Sequence, residues 1–377
     1  MKTQIIAAAA VTLSAASAQA GGLDRSGQNI GVLFEEGNVV EFSLGFSSPS
    51  VDGTDTFAAP GTQTGNVTDN FLIWSTALKY DIDDQWSLAL VIDEPYGLDL
   101  RYPGDGAATS LGGTAAVVDS SAVTAIVRYK FNDRFSVHGG LRYQTLSANV
   151  TLSGLAFGGL NGYNAAFDSS GAWGYVLGAA YEIPDIALRV ALTYNSAITH
   201  DLDTTETVGG VPVAPTSVTE IEAPESFNLS FQSGIAANTL LFGSIRYALY
   251  EDTITSPTFF DSQIAGPNSS LTDIDQGLDL EIGVARRFND KWAGRVAVGY
   301  QRSGEDNLVS PLAPTDGARY ISVGGAYTIN EKMTLSGGIR YTDLGDAFPE
   351  TGTPDVARAS FSGNSALSVG LKLAVKF

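Results

Sequence analysis

The last eleven residues of the chain alternate between apolar side chains and small or basic ones, and the chain ends on an aromatic residue. The apolar positions are Leu367, Val369, Leu371, Leu373, Val375 and Phe377, and between them lie Ser368, Gly370, Lys372, Ala374 and Lys376. Because side chains on a β-strand point alternately to opposite faces, this segment has one apolar and one polar face. Such a strand, with lipid on one side and a wet lumen on the other, is typical of the wall of a transmembrane β-barrel.

The same period of two recurs in fourteen segments, which predict an all-β fold: a transmembrane antiparallel β-barrel of about 14 strands over residues 38–377. The predicted strands are 38–49, 70–82, 85–100, 119–131, 134–150, 171–183, 185–198, 225–235, 239–251, 277–288, 291–303, 318–329, 332–345 and 362–377. Six connections are tight and carry turn residues, and seven are longer. Short periplasmic turns that alternate with long outer loops are expected for such a barrel.

Composition supports a barrel rather than a soluble enzyme. Only 16% of the residues are charged and 44% are hydrophobic, whereas soluble domains usually carry about 25% charged residues. Residues 1–20 combine a basic start, a short apolar stretch and the step Ala18-Gln19-Ala20, and we interpret them as a secretory signal peptide. We therefore expect an exported barrel that crosses the bacterial outer membrane many times.

Charge and histidine content limit the possible functions. The net charge of −20 excludes nucleic acid as a partner, because no basic surface is available to neutralise phosphates. Acidic outer loops either share divalent cations with lipopolysaccharide or simply keep an exported protein soluble. His138 and His200 are the only histidines, and neither accompanies a nucleophile motif. We expect no enzymatic activity, no cofactor and no metal site.

Six arginines fall on the polar faces of predicted strands, often in a quartet such as Gly140-Leu141-Arg142-Tyr143. They are Arg128, Arg142, Arg189, Arg246, Arg295 and Arg340. On the lipid-facing side each would cost about 2–4 kcal/mol at the bilayer midplane, so we place them in the lumen. There they either pack the lumen by pairing with acidic neighbours such as Glu182 or bind a ligand.

The third predicted strand is the most irregular, because its alternation meets Asp93, Glu94, Pro95, Tyr96 and Gly97 in succession. Proline cannot donate a ladder hydrogen bond, and glycine weakens a strand. A proline inside the wall of a closed barrel therefore interrupts pairing by a bulge or an inward kink. The sequence leaves two possibilities open, a bulge without a passage and an opening between lumen and lipid.

This strand resembles the kinked third strand of the FadL-type outer-membrane transporters, the OmpP1/FadL/TodX family. Residues 191–200 and the step Ala223-Pro224-Glu225-Ser226 are also similar to that family. The resemblance implies outer-membrane transport of long-chain fatty acids or other hydrophobic compounds, with a lumenal N-terminal hatch at residues 21–37. Its implied partners are a hydrophobic small molecule, outer-membrane lipids and the barrel assembly machinery. The hatch segment is short and lacks the Asn-Pro-Ala step that family members often carry.

The resemblance also implies a route for the ligand. Outer loops capture it, an apolar lumenal pocket holds it, and the kink at 93–97 releases it sideways into the membrane. The expected capture residues are Leu155, Phe157, Leu160, Tyr163, Phe167, Val211 and Val213, although such loops can also pack on each other to cover the mouth. Leu33 and Phe34 are the expected hatch residues. A general diffusion porin for small polar solutes is the alternative, since inward arginines also suit a water-filled lumen.

Overall fold

The computed structural model describes residues 23–263, 270–272, 274, 276–304, 307–352 and 354–377. The predicted signal peptide and the first two residues of the predicted hatch lie outside the described residues. Within the described part, fourteen antiparallel strands form a barrel that closes where Val39 of the first strand pairs with Lys376 of the last. The predicted all-β barrel is confirmed.

The barrel strands follow one another around the wall in chain order. They are β1 Val39–Ser50, β2 Phe71–Asp81, β3 Trp86–Asp93 with Gly97–Arg101, β4 Ala115–Lys130, β5 Phe135–Leu152, β6 Tyr163–Ile183, β7 Leu188–Asn195 with Ile198–Val208, β8 Ser217–Ala223 with Ser226–Ala236, β9 Thr239–Ala248, β10 Gly277–Arg287, β11 Trp292–Gln301, β12 Ala318–Asn330, β13 Met333–Leu344 and β14 Ser365–Lys376. Three strands, β3, β7 and β8, are each interrupted once.

The connections carry only short elements. The strands Asp52–Asp55, Gln63–Asn66 and Ala359–Phe361 form a small sheet, Leu308–Val309 pairs with Phe348–Pro349, and Val211–Pro212 pairs with the end of β7. The helical pieces are Thr258–Gln263 and the 3₁₀ turns Gly31–Phe34, Leu155–Leu160, Pro184–Ile186 and Tyr250–Asp252. None of the described helices has the length and apolar character needed to cross a membrane.

Two aromatic belts mark the limits of the lipid-facing zone. Beside the tight turns, Trp86 lies 4.6 Å from Tyr129 and Trp292 lies 4.6 Å from Tyr327, measured between ring centroids. On the loop side, Tyr143 lies 5.0 Å from Trp173. Exposed apolar side chains cover the wall between the two belts. Aromatic girdles at both interfaces are the arrangement that a bilayer stabilises.

Three strands continue beyond the outer belt, where we predicted loops at 151–170 and 199–224. β6 begins at Tyr163, β7 runs to Val208, and β8 begins at Ser217. In this extension the inward side chains, such as Leu202, are buried, whereas the outward Asp201 is exposed. The outer face is polar because water rather than lipid surrounds it. A cluster of buried apolar side chains fills this outer part of the barrel.

Candidate functional site

The wall of the barrel has a break in its hydrogen-bonded ladder at β3. β1 pairs with β2 as far as Phe71, but β2 pairs with β3 only as far as Ser75 and Asp93. After Pro95 the strand resumes at Gly97 and pairs there with β4. Residues 71–74 of β2 therefore have no ladder partner on the β3 side among the described residues. We call this break the wall gap.

The start of the N-terminal segment, residues 23–37, occupies the wall gap. Asp24 forms an antiparallel bridge with Tyr96, the Arg25 N–H donates to the Pro95 carbonyl at 2.9 Å, and the Gly97 N–H donates to the Leu23 carbonyl at 2.8 Å. The Arg25 guanidinium lies 3.3 Å from the centroid of the Phe71 ring, on the opposite edge of the gap. Residues 23–25 thus act as a short strand in the place that β2 leaves.

Buried polar contacts fix this segment in the lumen. Asp24, which is fully buried, forms an ion pair with Arg246 at 2.5 Å. The Ser26 hydroxyl donates to the Asp93 carboxylate at 2.5 Å, and the Ser226 hydroxyl donates to the Gln28 side chain at 2.8 Å. Removing either partner of such a buried charge pair is strongly destabilising, because the other charge stays buried and unpaired.

Near the other end of the N-terminal segment, Phe34 contacts two of the predicted lumenal arginines. The Phe34 ring lies between the guanidinium groups of Arg128 and Arg189, at 4.7 and 4.8 Å from its centroid. Cation–π contacts of this kind stabilise a ring that has lost its water. Leu33 beside it is fully buried. Both expected hatch residues therefore lie inside the barrel.

All six predicted arginines point into the lumen, and each contacts other protein groups. Arg128 pairs with Glu182, Arg142 donates to Thr124 at 2.9 Å, and Arg189 donates to Gln232 at 3.2 Å. The Glu281 carboxylate forms ion pairs with both Arg295, at 3.3 Å, and Arg340, at 3.2 Å. These partners account for the arginines as lumen packing. A cavity of about 210 Å³ lies among Arg189, Arg246, Arg340 and Glu281, and apolar side chains such as Phe34 line it as well.

A second cavity, of about 80 Å³, lies on the loop side of the N-terminal segment and is almost wholly apolar. Leu23 and Tyr96 line it beside the wall gap, Phe167 and Ile221 line its wall, and Leu271 covers it. A single buried water needs roughly 10–15 Å³ of such space, so the cavity suits a small organic molecule. Its one charged lining residue in the described structure is Glu222, whose carboxylate accepts a 3.4 Å hydrogen bond from Thr199. We call it the apolar cavity.

The model of one protein family, described as "Outer membrane protein transport protein (OMPP1/FadL/TodX)", matches residues 33–369. The chain belongs to this family. It is therefore a transport protein of the outer membrane and not an enzyme. No curated protein matches the sequence significantly.

Solved structures share the fold of this family member. A FadL homologue from Pseudomonas aeruginosa superimposes with a TM-score of 0.69 at 13% identity, over 92% of each chain. The Pseudomonas putida toluene transporter TodX gives 0.65 at 14% identity, over 91% of each chain. The Ralstonia pickettii toluene transporter TbuX gives 0.61 at 15% identity, over 92% of this chain and 90% of that one.

The expected capture residues are divided between the apolar core of the mouth and its surface. Tyr163 and Phe167 are buried in that core, and Phe167 lines the apolar cavity. Phe157 and Leu160 pack against the same core from outside. Leu155 and Val211 are exposed, and Val213 is half-buried. In this family member the structure thus brings one of the seven into the apolar cavity.

Sequence reasoning missed several residues of the site. Leu23, Tyr250 and Leu271 line the apolar cavity although none was predicted to contact a ligand. Leu23 offered one signal, because it is the first large apolar residue after the predicted signal peptide. Tyr250 fell at the end of the predicted strand 239–251, and Leu271 lies in a long connection where no periodicity identifies inward positions. Within the described residues, no group of His, Cys, Asp and Glu side chains could hold a metal ion.

Proposed function

We propose that the protein transports small neutral hydrophobic compounds across the outer membrane and releases them sideways through the wall gap. One observation carries this proposal. The apolar cavity lies directly on Leu23, and Leu23 is the first residue of the short strand that fills the gap. The Leu23 side chain therefore lies between a ligand in the cavity and the wall gap. Movement of residues 23–25 would open the path, so the segment serves as the hatch.

The two lumenal cavities support a sideways exit over a straight one. The larger cavity among Arg246, Arg340 and Glu281 places several charged groups beside any ligand that enters it, whereas a single charged residue of the described structure lines the apolar cavity. Apolar ligand surface that faces charged groups instead of lipid forgoes about 25 cal/mol for every Å² that lipid would cover. The membrane beside the wall gap is the more favourable destination, so an apolar compound would leave through the wall.

The lining of the apolar cavity favours a neutral ligand over a fatty acid. No arginine, lysine or histidine lines it in the described structure. An ionised carboxylate placed there would lose its hydration without gaining a partner, which is costly. Its small volume also suits a short or compact compound better than a long acyl chain. Among the compounds that the family resemblance allows, neutral hydrocarbons are therefore the proposed ligands.

Equilibrium binding of toluene and of dodecanoate to the barrel in lipid nanodiscs tests the ligand class. We expect toluene to bind and dodecanoate to bind at least about tenfold more weakly, a difference of roughly 1.4 kcal/mol. Ile221→Lys places a cation in the cavity and should reverse this order, whereas Ile221→Met should preserve it. Equal binding of both probes by the native protein would contradict the proposal.

Planar-bilayer currents test the transport route against the porin alternative. The N-terminal segment extends through the lumen from the wall gap to Phe34. We therefore expect little steady current from the native barrel, together with uptake of toluene by cells that express it. A large steady current without toluene uptake would support a general diffusion porin instead.

The outer surface suggests how the proposed transporter meets the membrane. Asp201 and Glu220 are register partners on β7 and β8, and both are exposed. Like charges directly opposite each other destabilise a strand pair, and a divalent cation shared with lipopolysaccharide phosphates would relieve that repulsion. The last strand, β14, would be presented to the barrel assembly machinery.

A further inference from the structure

A second break in the ladder lies between β6 and β7, about a quarter of the way around the barrel from the wall gap. Below it the last register pair is Asn195 with Val176, and above it pairing resumes at Thr204 with Phe167. Between these points, residues 168–174 of β6 form no ladder pair with residues 197–203 of β7. We call this break the slot.

Two staggered bulges cause the slot. On β7 and β8 the alternation shifts by one residue at 196–197 and 224–225, so that Asn195 and Ile198 both point inward. On β6 the matching shift lies nearer the mouth of the barrel, at 168–169. There two residues of β6 face Ser147 of β5 alone. Between the bulges the two strands alternate out of phase. An antiparallel pair needs side chains on the same face, so the strands cannot close the ladder without a slip.

The slot opens at the membrane interface. Trp173 of the outer aromatic belt lies on its β6 edge, Tyr194 lies immediately below it, and Thr199 and Asp201 on its β7 edge are exposed. Unpaired backbone groups are costly within the acyl region, but water can satisfy them at headgroup level. The slot is therefore placed where lipid and water meet.

His200 spans the slot. Its Nδ1 lies 3.2 Å from the Ser170 carbonyl on β6, and its Nε2 lies 3.3 Å from the amide nitrogen of Gln144 on β5. Burial lowers the pKa of His200, partly offset by the bond to Ser170, so the imidazole is neutral at neutral pH. In one tautomer Nδ1–H donates to Ser170 while Nε2 accepts from Gln144. Both His200 and Gln144 are fully buried.

An apolar cluster connects the β7 edge of the slot to the apolar cavity. Ile198 belongs to an apolar cluster with Tyr96, Ala223 and Tyr250, and Ala172 of β6 packs against it. Tyr96, Ala223 and Tyr250 also line the apolar cavity. A compound that passed His200 would therefore reach the same apolar surface that a ligand in the cavity contacts.

We infer that the slot is a side entrance through which neutral hydrophobic compounds dissolved in the outer leaflet reach the apolar cavity, with His200 as its gate. This inference rests on the proposed function, because it supplies a second access route to the same cavity. The edges of the slot carry the exposed acids Asp168, Asp201 and Asp203. These charges repel a carboxylate at headgroup level and leave a neutral hydrocarbon unaffected.

A single cysteine in the cavity tests the entrance. The native chain has no cysteine, and Thr253 lines the cavity with a buried hydroxyl that has no hydrogen-bond partner in the described structure. Thr253→Cys in lipid vesicles preloaded with N-phenylmaleimide reports arrival of a neutral compound from the membrane. We expect His200→Ala to raise the labelling rate about tenfold and Ala172→Phe to lower it by a similar factor.

Gln301→Ala is the matched control, because Gln301 is also a buried inward polar residue just above the outer belt but lies beside an unbroken ladder. Its labelling rate should equal that of the parent. Equal rates in all four proteins, or no labelling in any of them, would overturn the entrance. Toluene binding by the same folded variants separates the two proposals. If toluene still binds but the labelling rates are unchanged, the side entrance alone is contradicted. If toluene does not bind, the proposed function is contradicted.

Discussion

Replacing Arg246 by alanine is expected to release the N-terminal segment from the wall gap. Arg246 donates to Asp24 at 2.5 Å and also to Gln28, Ser226 and Asn228, all inside the lumen. Breaking a buried ion pair by removing one partner costs about 3–5 kcal/mol, because the other charge stays buried and unpaired. The fraction of released segment should rise roughly a hundredfold or more. Planar-bilayer current and protease cleavage within residues 23–37 measure the release.

Arg340→Ala is the control for this experiment. Arg340 is buried to a similar degree and pairs with Glu281 at 3.2 Å, but its ion pair does not involve the N-terminal segment. It should lower stability without adding protease cleavage near the N-terminus. Asp24→Asn combined with Arg246→Gln removes both charges and should hold the segment better than Arg246→Ala. If Arg340→Ala and Arg246→Ala gave equal cleavage, the Asp24 ion pair would not be what holds the segment.

The wall of the barrel was predictable because its physical constraint is local. Lipid on one face and water on the other impose a period of two, and a side chain's neighbours in sequence reveal that period. The same reasoning ended the predicted strands too early, at the outer aromatic belt. Beyond Tyr194 the outward residues become acidic, as at Asp201 and Asp203, so the lipid-facing signal disappears although the strand continues. β6, β7 and β8 are longer than predicted for this reason.

The content of the lumen was less predictable, because its contacts join residues far apart in the chain. The sequence placed Arg246 on an inward face, but its partner Asp24 is 222 residues away and lies on no strand of the barrel. The irregularity at Pro95 was visible, whereas the short strand of residues 23–25 that pairs there was not. No periodicity marks three residues at the start of a segment as the partner of a broken strand.

The slot shows the same limit at the level of register. The step around Pro224 and the motif around His200 stood out by resemblance. The staggering of the bulges on β6 and β7 depends on how three strands align with each other. Alignment between strands is a property of the assembled barrel, so it could not be derived from either strand alone.

Glu206→Ala is expected to detach the outer loop segment 250–263 from the mouth of the barrel. The buried carboxylate of Glu206 accepts hydrogen bonds from the backbone N–H groups of Phe259 and Phe260, at 2.8 and 2.9 Å, and from the Tyr163 hydroxyl at 2.7 Å. Burial and the neighbouring Glu206 carboxylate raise the pKa of Tyr163, so its hydroxyl stays protonated and donates. Each hydrogen bond to a charged group contributes about 1.5–3 kcal/mol.

Loss of that acceptor leaves three buried donors unsatisfied, and the loop can recover their hydration only by moving outward into water. Tyr250 and Thr253 of this segment line the apolar cavity, so its movement would expose the ligand. We expect toluene to dissociate at least about tenfold faster, as measured by stopped-flow mixing. Glu206→Gln keeps one carbonyl acceptor and should lie between the two, while Glu220→Ala, an exposed acid on β8, should change nothing. An unchanged dissociation rate in Glu206→Ala would contradict the expectation that this loop covers the ligand on the mouth side of the apolar cavity.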